Sequence, residues 1–318
     1  MREFAFELSV CARLERETAG IVSRQLGGAV AAPGSRILDV VHVEPGPDFD
    51  ERAAITPETI PALAIEADVG TGRARYWREA VAGGGEYVRE ALERAVEIGF
   101  LERTRRGGRE YLRQTTRYTD WFSTITAIEN KPDLASPGDL ERQLRFDVSL
   151  GLVDRVVLAT GSYVTRAHLN RIPESVGVWR LHDGEREVIR EATPLDSTGW
   201  GLELGESRPL RTDVSPVPPA EKARKRRRIA ERAYGKGWRL DPPACAHGDV
   251  GEVEGASVPY CSYYDRVVDP GECGPSCPGH EPADPPEAEP AAERDRRTPW
   301  VTDPEGTKRR QAGLDSFR

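Results

Sequence analysis

The run DRVVLAT at residues 154–160 limits the fold more than any other stretch. It is too short for a helix, rich in β-branched residues and apolar without alternation, which marks a strand covered on both faces. Such a strand needs further strands beside it and helices above and below. RILDVVHVE at 36–44 and STITAIENK at 123–131 read as those strands. DLERQLRFDVSLGL at 139–152 spaces Leu140, Leu144, Val148 and Leu152 four apart along one helix face. A short helix follows at about 165–171, then a hairpin within 176–192 that turns at Asp183-Gly184. Near the start, Phe4, Leu8, Ala12, Leu14, Ile21, Val22 and Leu26 predict a helix over 2–25 ended by Gly27-Gly28. A short strand and a Pro-Gly turn are expected between it and residue 36. Alternation of this kind indicates an α/β fold, a mixed central sheet flanked by helices.

Residues 51–118 have another texture. Thr56-Pro57-Glu58 predicts a helix start, and Val88, Leu92 and Val96 line a second helix. FLERTRRGGREYLRQT then turns as a hairpin at Arg-Gly-Gly. Helices followed by a basic hairpin resemble a winged helix, so 51–118 is read as an inserted α+β unit between core segments 1–50 and 119–192. Residues 193–219, rich in Pro, Ser and Gly, read as a linker. A basic helix at 220–240, a Cys-rich metal-binding region at 241–283 and a disordered tail at 284–318 complete the expected organisation.

The chain carries 45 basic and 53 acidic residues, a net charge of −8, and only 38% hydrophobic residues. Arginine stands in for lysine almost everywhere: five lysines face forty arginines. This balance resembles that of halophilic proteins, whose surface carboxylates keep them hydrated in strong salt, so the negative charge does not exclude nucleic acid. Two basic elements are candidate phosphate contacts: 222–232, with seven Lys or Arg and one Glu, and the hairpin residues Arg103, Arg105, Arg106 and Arg109. A solvated helix face is the competing reading of the first. The opening MREFAFELSVCARLE has no apolar core of signal-peptide length, and no stretch approaches the roughly 18 apolar residues of a membrane span. A cytoplasmic location without a membrane partner is expected. No GxxxxGK[ST] loop supports nucleotide hydrolysis.

Chemistry concentrates around IENK at 128–131. Strand side chains alternate, so Glu129 and Lys131 share one sheet face, at a strand end, where active sites of open α/β sheets lie. Asp39 interrupts the apolar run of the earlier strand, a place where β-propensity disfavours it and burial without a cation is costly. Asp39 and Glu129 together suit Mg²⁺ or Mn²⁺, hard ions that prefer oxygen ligands. Such an ion would polarise a phosphodiester oxygen and acidify a water, and Lys131 would position that water or offset developing charge. A compact ammonium suits this task better than a guanidinium. A surface ion pair between Glu129 and Lys131 is the plainer explanation.

The order helix, strand, Asp-bearing strand, Glu-x-Lys strand, Gln-bearing helix, strand resembles the core of the PD-(D/E)XK nuclease superfamily, which includes restriction endonucleases, Holliday junction resolvases and RecB-type nucleases. The resemblance covers about 1–50 and 119–192 and implies a restriction-endonuclease-like sheet and metal-dependent hydrolysis of DNA. It assigns Asp39 and Glu129 to the metal and Lys131 to catalysis. It matches Gln143 to a glutamine that RecB-like members place near the site, and Glu7 to an added metal ligand used by some members. In this sequence Leu38 stands where a proline is common, and Asp147 where RecB-like members place a tyrosine. The 89 residues between Asp39 and Glu129 make Asp120 a rival for the first acid. The chain as a whole also resembles a haloarchaeal protein family, a likeness that supplies no activity. The expected partner is DNA; a non-catalytic DNA-binding protein is the alternative, and a homodimer is compatible with either.

Cys245, Cys261, Cys273 and Cys277 lie within 36 residues of one another together with His247 and His280. Four thiolates suit tetrahedral Zn²⁺, and the Gly and Pro residues of ECGPSCPGH allow tight turns. The spacing lacks paired CxxC knuckles, and a 4Fe–4S cluster is the rival. Some RecB-like nucleases staple their ends with such a cluster, using a cysteine before the core and three after it, which would enlist Cys11. Structural Zn²⁺ is the preferred reading.

Overall fold

The computed structural model describes residues 2–27, 37–136, 138–182, 184–208 and 211–301. Helix α1 (Glu3–Glu17) leads into strand β1 (Ile21–Gly27) and its antiparallel partner β2 (Ile37–Pro45). The expected helix over 2–25 therefore stops at Glu17. Ile21, Val22 and Leu26 are strand residues instead, because pairing with β2 outweighs a helical periodicity that their β-branched neighbours support poorly. Gly20 makes the join possible, since a Cβ there would sit 2.2 Å from His42 Nε2. The short strand and Pro-Gly turn expected before residue 36 lie outside the described residues.

The stretch after β2 holds α2 (Phe49–Ala53), α3 (Ala62–Ile65), β3 (Arg75–Tyr76), α4 (Trp77–Ala80), α5 (Glu86–Glu97), β4 (Leu101–Arg106) and β5 (Arg109–Gln114). The three strands form a separate antiparallel sheet in the order β3-β5-β4. No helix begins at Thr56: its Oγ1 accepts the Glu58 N–H at 3.1 Å, but Pro57 and Pro61 hold the backbone extended until Ala62. Val88 and Leu92 do face the core of this unit.

The chain then re-enters the main sheet with β6 (Phe122–Asn130), α6 (Leu140–Leu150), β7 (Arg155–Thr160), α7 (Arg166–Arg171), β8 (Gly177–His182) and β9 (Glu185–Arg190). The six strands stand in the order β1-β2-β6-β7-β8-β9, antiparallel except for β6/β7 and β7/β8. It is a mixed α/β sheet with a hydrophobic core on each face. Val22, Val40, Ile128, Val157 and Ala159 pack with Phe6, Leu8 and Val10 of α1. Ile21, Val41, Val43, Ile125, Ala127, Val156 and Leu158 pack with Leu140 and Leu144 of α6 on the other face.

Three later expectations change. The 193–219 segment contains a hairpin, β10 (Gly201–Arg208) with β11 (Arg211–Val217), because Leu202, Leu204 and Val214 sit at alternating positions that outweigh the Pro and Ser content. The basic helix exists as α8 (Pro219–Lys236), but it closes the core: Ile229, Ala230, Ala233 and Tyr234 are buried. Four of its cations are taken up internally, Lys222 by the Asp196 carbonyl, Arg226 by Asp154, Arg228 by Glu66 and Lys236 by the Gln25 carbonyl. After a three-stranded sheet of β12 (Gly248–Val253), β13 (Ala256–Cys261) and β14 (Arg266–Val267), residues 284–301 are ordered too. Helix α9 (Pro290–Arg297) precedes Trp300, which is buried and donates its Nε1–H to the Pro57 carbonyl at 3.2 Å. Residues 302–318 lie outside the described residues. Among the described residues no helix is long and apolar enough to cross a membrane.

Candidate active site

Strands β2 and β6 run antiparallel with Val40 opposite Ile128. One step further places Asp39 beside Glu129 at the end of the two paired strands. The contact is explicit: Asp39 Oδ2 accepts the Asn130 backbone N–H at 3.0 Å. The 89-residue separation is thus bridged by strand pairing. Glu129 is buried at 7% exposure, and Asp39 and Lys131 are half-buried. Lys131 is the first residue past β6, and its N–H donates to the Ala159 carbonyl at 2.9 Å, so the parallel ladder with β7 extends to it and fixes its backbone.

Asp120 does not join them. It precedes β6, at the end where the Asp48 carboxylate accepts its N–H. Nine residues of extended chain separate it from Glu129, about 30 Å. Gln143 is half-buried in the first turn of α6. Because α6 starts from the loop that leaves β6, that turn lies at the Asp39/Glu129 end of the sheet. Asp147, one turn later, is buried against the sheet.

Glu7 reaches the same end of the sheet from α1. Its carboxylate is taken up on both oxygens, by Arg24 Nε at 2.6 Å and Gln25 Nε2 at 2.8 Å. Burial raises its pKa; the Arg24 charge works against that rise and the Asp39 carboxylate adds to it. Glu7 and Asp39 therefore sense each other's charge. Gln25 stands at φ 54°, a left-handed conformation unusual for a residue other than Gly and of the kind that concentrates near functional sites. Its carbonyl accepts Lys236 Nζ at 2.9 Å. Burial and the nearby Arg24 lower the pKa of Lys236. Sequence reading missed Arg24, Gln25 and Lys236, which carry no motif; only the burial of Glu7 forces them to gather.

Asn130 was also passed over as the variable residue of Glu-x-Lys. It is 1% exposed, and neither its Oδ1 nor its Nδ2 has a hydrogen-bond partner among the described residues.

Cys245, Cys261, Cys273 and Cys277 line a single cavity of ≈ 230 Å³ together with His280. Cys11 is elsewhere, fully buried in the core beneath α1. Among the described residues no three His, Cys, Asp or Glu side chains are gathered so as to hold a metal ion. For Mg²⁺ the fit rests on the donor set: the ion commonly takes one or two carboxylates and fills its other positions with water and substrate phosphate oxygens, and Asp39 with Glu129 supplies such a pair.

The chain belongs to the family of unknown function DUF5787. The family's model matches residues 21–282, a stretch that runs from β1 through the cavity cysteines and includes Asp39, Glu129, Lys131 and Gln143 but not Glu7. No curated protein and no solved structure matches the chain.

Proposed function

We propose that this member of DUF5787 is a metal-dependent nuclease acting on DNA, with a restriction-endonuclease-like core. The observation that carries the reading is the Asp39 Oδ2 contact with the Glu-x-Lys strand, within a chain order α1-β1-β2-β6-α6-β7 whose strands lie side by side in sequence order. Three antiparallel strands followed by a parallel one, with the first acid on the second strand and Glu-x-Lys on the third, is the arrangement that the resemblance to PD-(D/E)XK nucleases implies. Asp39 and Glu129 would hold Mg²⁺ or Mn²⁺, which when bound neutralises charge on a scissile phosphate. Lys131, on the face shared with Glu129, orients the attacking water and offsets charge on the pentacoordinate phosphorus. Gln143 borders the site from α6.

The inserted unit follows the order α3-β3-α4-α5-β4-β5 with sheet order β3-β5-β4, which supports the winged-helix reading of it. Its long helix α5 does not suit a DNA groove, since it carries Glu86, Glu90, Glu93 and Glu97 against Arg89 and Arg94. In the hairpin, Arg103 and Arg105 are already paired with Glu110, and Arg106 and Arg109 lie over the rings of Tyr111 and Tyr76. DNA contact in this reading falls to the core.

The test is cleavage of branched, single-stranded and duplex DNA in high salt with Mg²⁺ or Mn²⁺. Wild type is expected to cleave, and Glu129→Ala and Lys131→Ala to lose about 10²-fold or more. Equal cleavage by wild type and both variants ends the catalytic assignment. DNA binding without cleavage by wild type would instead leave a non-catalytic binding protein.

A further inference from the structure

We propose that Cys245, Cys261, Cys273 and Cys277 form a thiolate-ligated metal centre that staples the C-terminal region, independently of whether the Asp39 site is catalytic. Four of the five cysteines of the chain open onto one cavity, and they come from different local structures. Cys245 starts a turn closed by the Gly248 N–H on its carbonyl at 2.8 Å. Strand register sets Gly248 opposite Cys261, the last residue of β13, so that turn abuts the second cysteine. Cys273 follows the single helical turn Pro270–Glu272, its N–H on the Pro270 carbonyl at 3.1 Å. Cys277 and His280 each close a further turn, on the carbonyls of Gly274 and Cys277 at 2.9 and 3.0 Å. Consecutive tight turns that open several side chains onto one cavity are what a structural thiolate site requires of its backbone.

Packing alone does not account for these residues. Cys273 and Cys277 are partly exposed, where a small apolar residue contributes little. All five cysteines are free thiols, so no disulfide supplies the cross-link. The region 241–283 has a small core of its own, two six-residue strands, one two-residue strand, and Ala256, Val258 and Val268 as its buried aliphatic residues; it is docked on α1 through Ala256 and Val258 and through Glu254, which pairs with Arg13 and Arg16. Segments of about 40 residues with so small a core usually need a metal or disulfide staple. Four thiolates select soft or borderline metals, Zn²⁺ as a single ion or iron as a 4Fe–4S cluster. Among the described residues no three of these side chains are gathered closely enough to hold an ion. A single ion would therefore draw the Gly- and Pro-rich 270–280 turns inward, whereas a cluster would span the cavity.

The experiment is metal analysis of the full-length protein purified without oxygen in high salt, with an absorbance spectrum. Expected is either about one Zn per chain with no colour, or about four Fe per chain with a band at about 400 nm. Cys273→Ser and Cys277→Ser, at the partly exposed positions, are expected to lower bound metal at least about tenfold, while Cys11→Ser leaves it unchanged. Wild type with less than about a tenth of an equivalent of either metal, even after reconstitution with Zn²⁺ or with iron and sulfide, overturns the proposal. So does unchanged metal content in both serine variants. Metal content is measured without a DNA substrate, so its outcome is separable from the nuclease test.

Discussion

Replacing Arg52 by Met tests how the inserted unit and α8 are held to the core. Arg52 is 0% and Glu231 2% exposed. Arg52 Nε and Nη2 lie 2.9 and 2.8 Å from Glu231 Oε2, and Arg52 Nη1 and Nη2 donate to the carbonyls of Thr56 and Glu58 at 2.8 Å each. The guanidinium also sits 3.9 Å from the Tyr234 ring centroid. Methionine fills much of the volume but leaves a buried carboxylate without its cation and two carbonyls without donors. Breaking a buried pair from one side costs about 3–5 kcal/mol, the size expected for Arg52→Met. Pairing it with Glu231→Met removes the orphaned charge, and the double variant should recover at least about 2 kcal/mol relative to the sum of the single changes.

The pH dependence gives a second readout. Burial raises the Glu231 pKa in the folded protein, with Arg52 opposing; without Arg52 the folded value rises further. The folded variant then binds a proton that the unfolded chain still releases above about pH 4.5, so the variant should gain stability as pH falls from 8 toward 5. Urea unfolding of wild type, both single variants and the double variant at two pH values measures all of this. A coupling energy below about 0.5 kcal/mol, or a variant whose deficit is independent of pH, would refute the claim that the pair is energetically linked.

Three further outcomes follow from single sites. Burial depresses the His42 pKa from 6.5 to about 4, so the unfolded chain takes up a proton that the folded protein refuses; stability is full above pH 6.5 and falls by roughly 3 kcal/mol toward pH 4. Subtracting the pH profile of His42→Gln isolates this loss, and equal slopes would contradict it. Gly151 ends α6 at φ 58°, and a Cβ there would lie 2.8 Å from Lys222 Nζ and 2.9 Å from the Asp196 carbonyl. Gly151→Ala should therefore cost about 2–4 kcal/mol through backbone strain and a displaced hydrogen bond, read by thermal unfolding. Trp300→Ala removes a buried indole stacked under Arg294 at 3.7 Å and should cost about 3 kcal/mol, where a disordered tail would register nothing.

The sheet was legible in the sequence because its central strands are buried on both faces and short, a pattern that few other folds tolerate. The approach of Asp39 to the strand that ends in Glu129 and Lys131 was legible because an acid inside an apolar strand needs a reason. What misled was local composition. Seven cations within 222–232 suggested a solvated or phosphate-binding face, yet Lys222, Arg226 and Arg228 among them find Asp196, Asp154 and Glu66, partners 26 to 162 residues away that no local window contains. Pro and Ser in 193–219 hid a hairpin whose strands are only eight and seven residues long. The tail looked disordered because the cavity that receives Trp300 is built by Tyr234 and Pro57, far earlier in the chain.

The long insertion between Asp39 and Glu129 leaves the site intact because of where it leaves and rejoins the sheet. Pro45 pairs with Phe122, the Gly46 N–H donates to the Trp121 carbonyl at 2.8 Å, the Asp48 N–H donates to the Asp120 carbonyl at 3.2 Å, and the Asp120 N–H donates to the Asp48 carboxylate at 3.0 Å. The 76 residues between Pro45 and Phe122 thus start and finish at one strand-pair spacing, so their length is closed like a hairpin loop. Asp39 and Glu129 lie at the other end of the same two strands, about 20–25 Å away. A change inside the inserted unit can therefore alter stability or a docking surface without moving the carboxylates, whereas a one-residue register slip between β2 and β6 would turn Asp39 to the other sheet face and separate it from Glu129. The Ser123 hydroxyl, which donates to the Pro45 carbonyl at 3.0 Å, and the Gly46 approach, where a Cβ would lie 2.2 Å from the Asp120 carbonyl, are the contacts that set this register at the end remote from the chemistry.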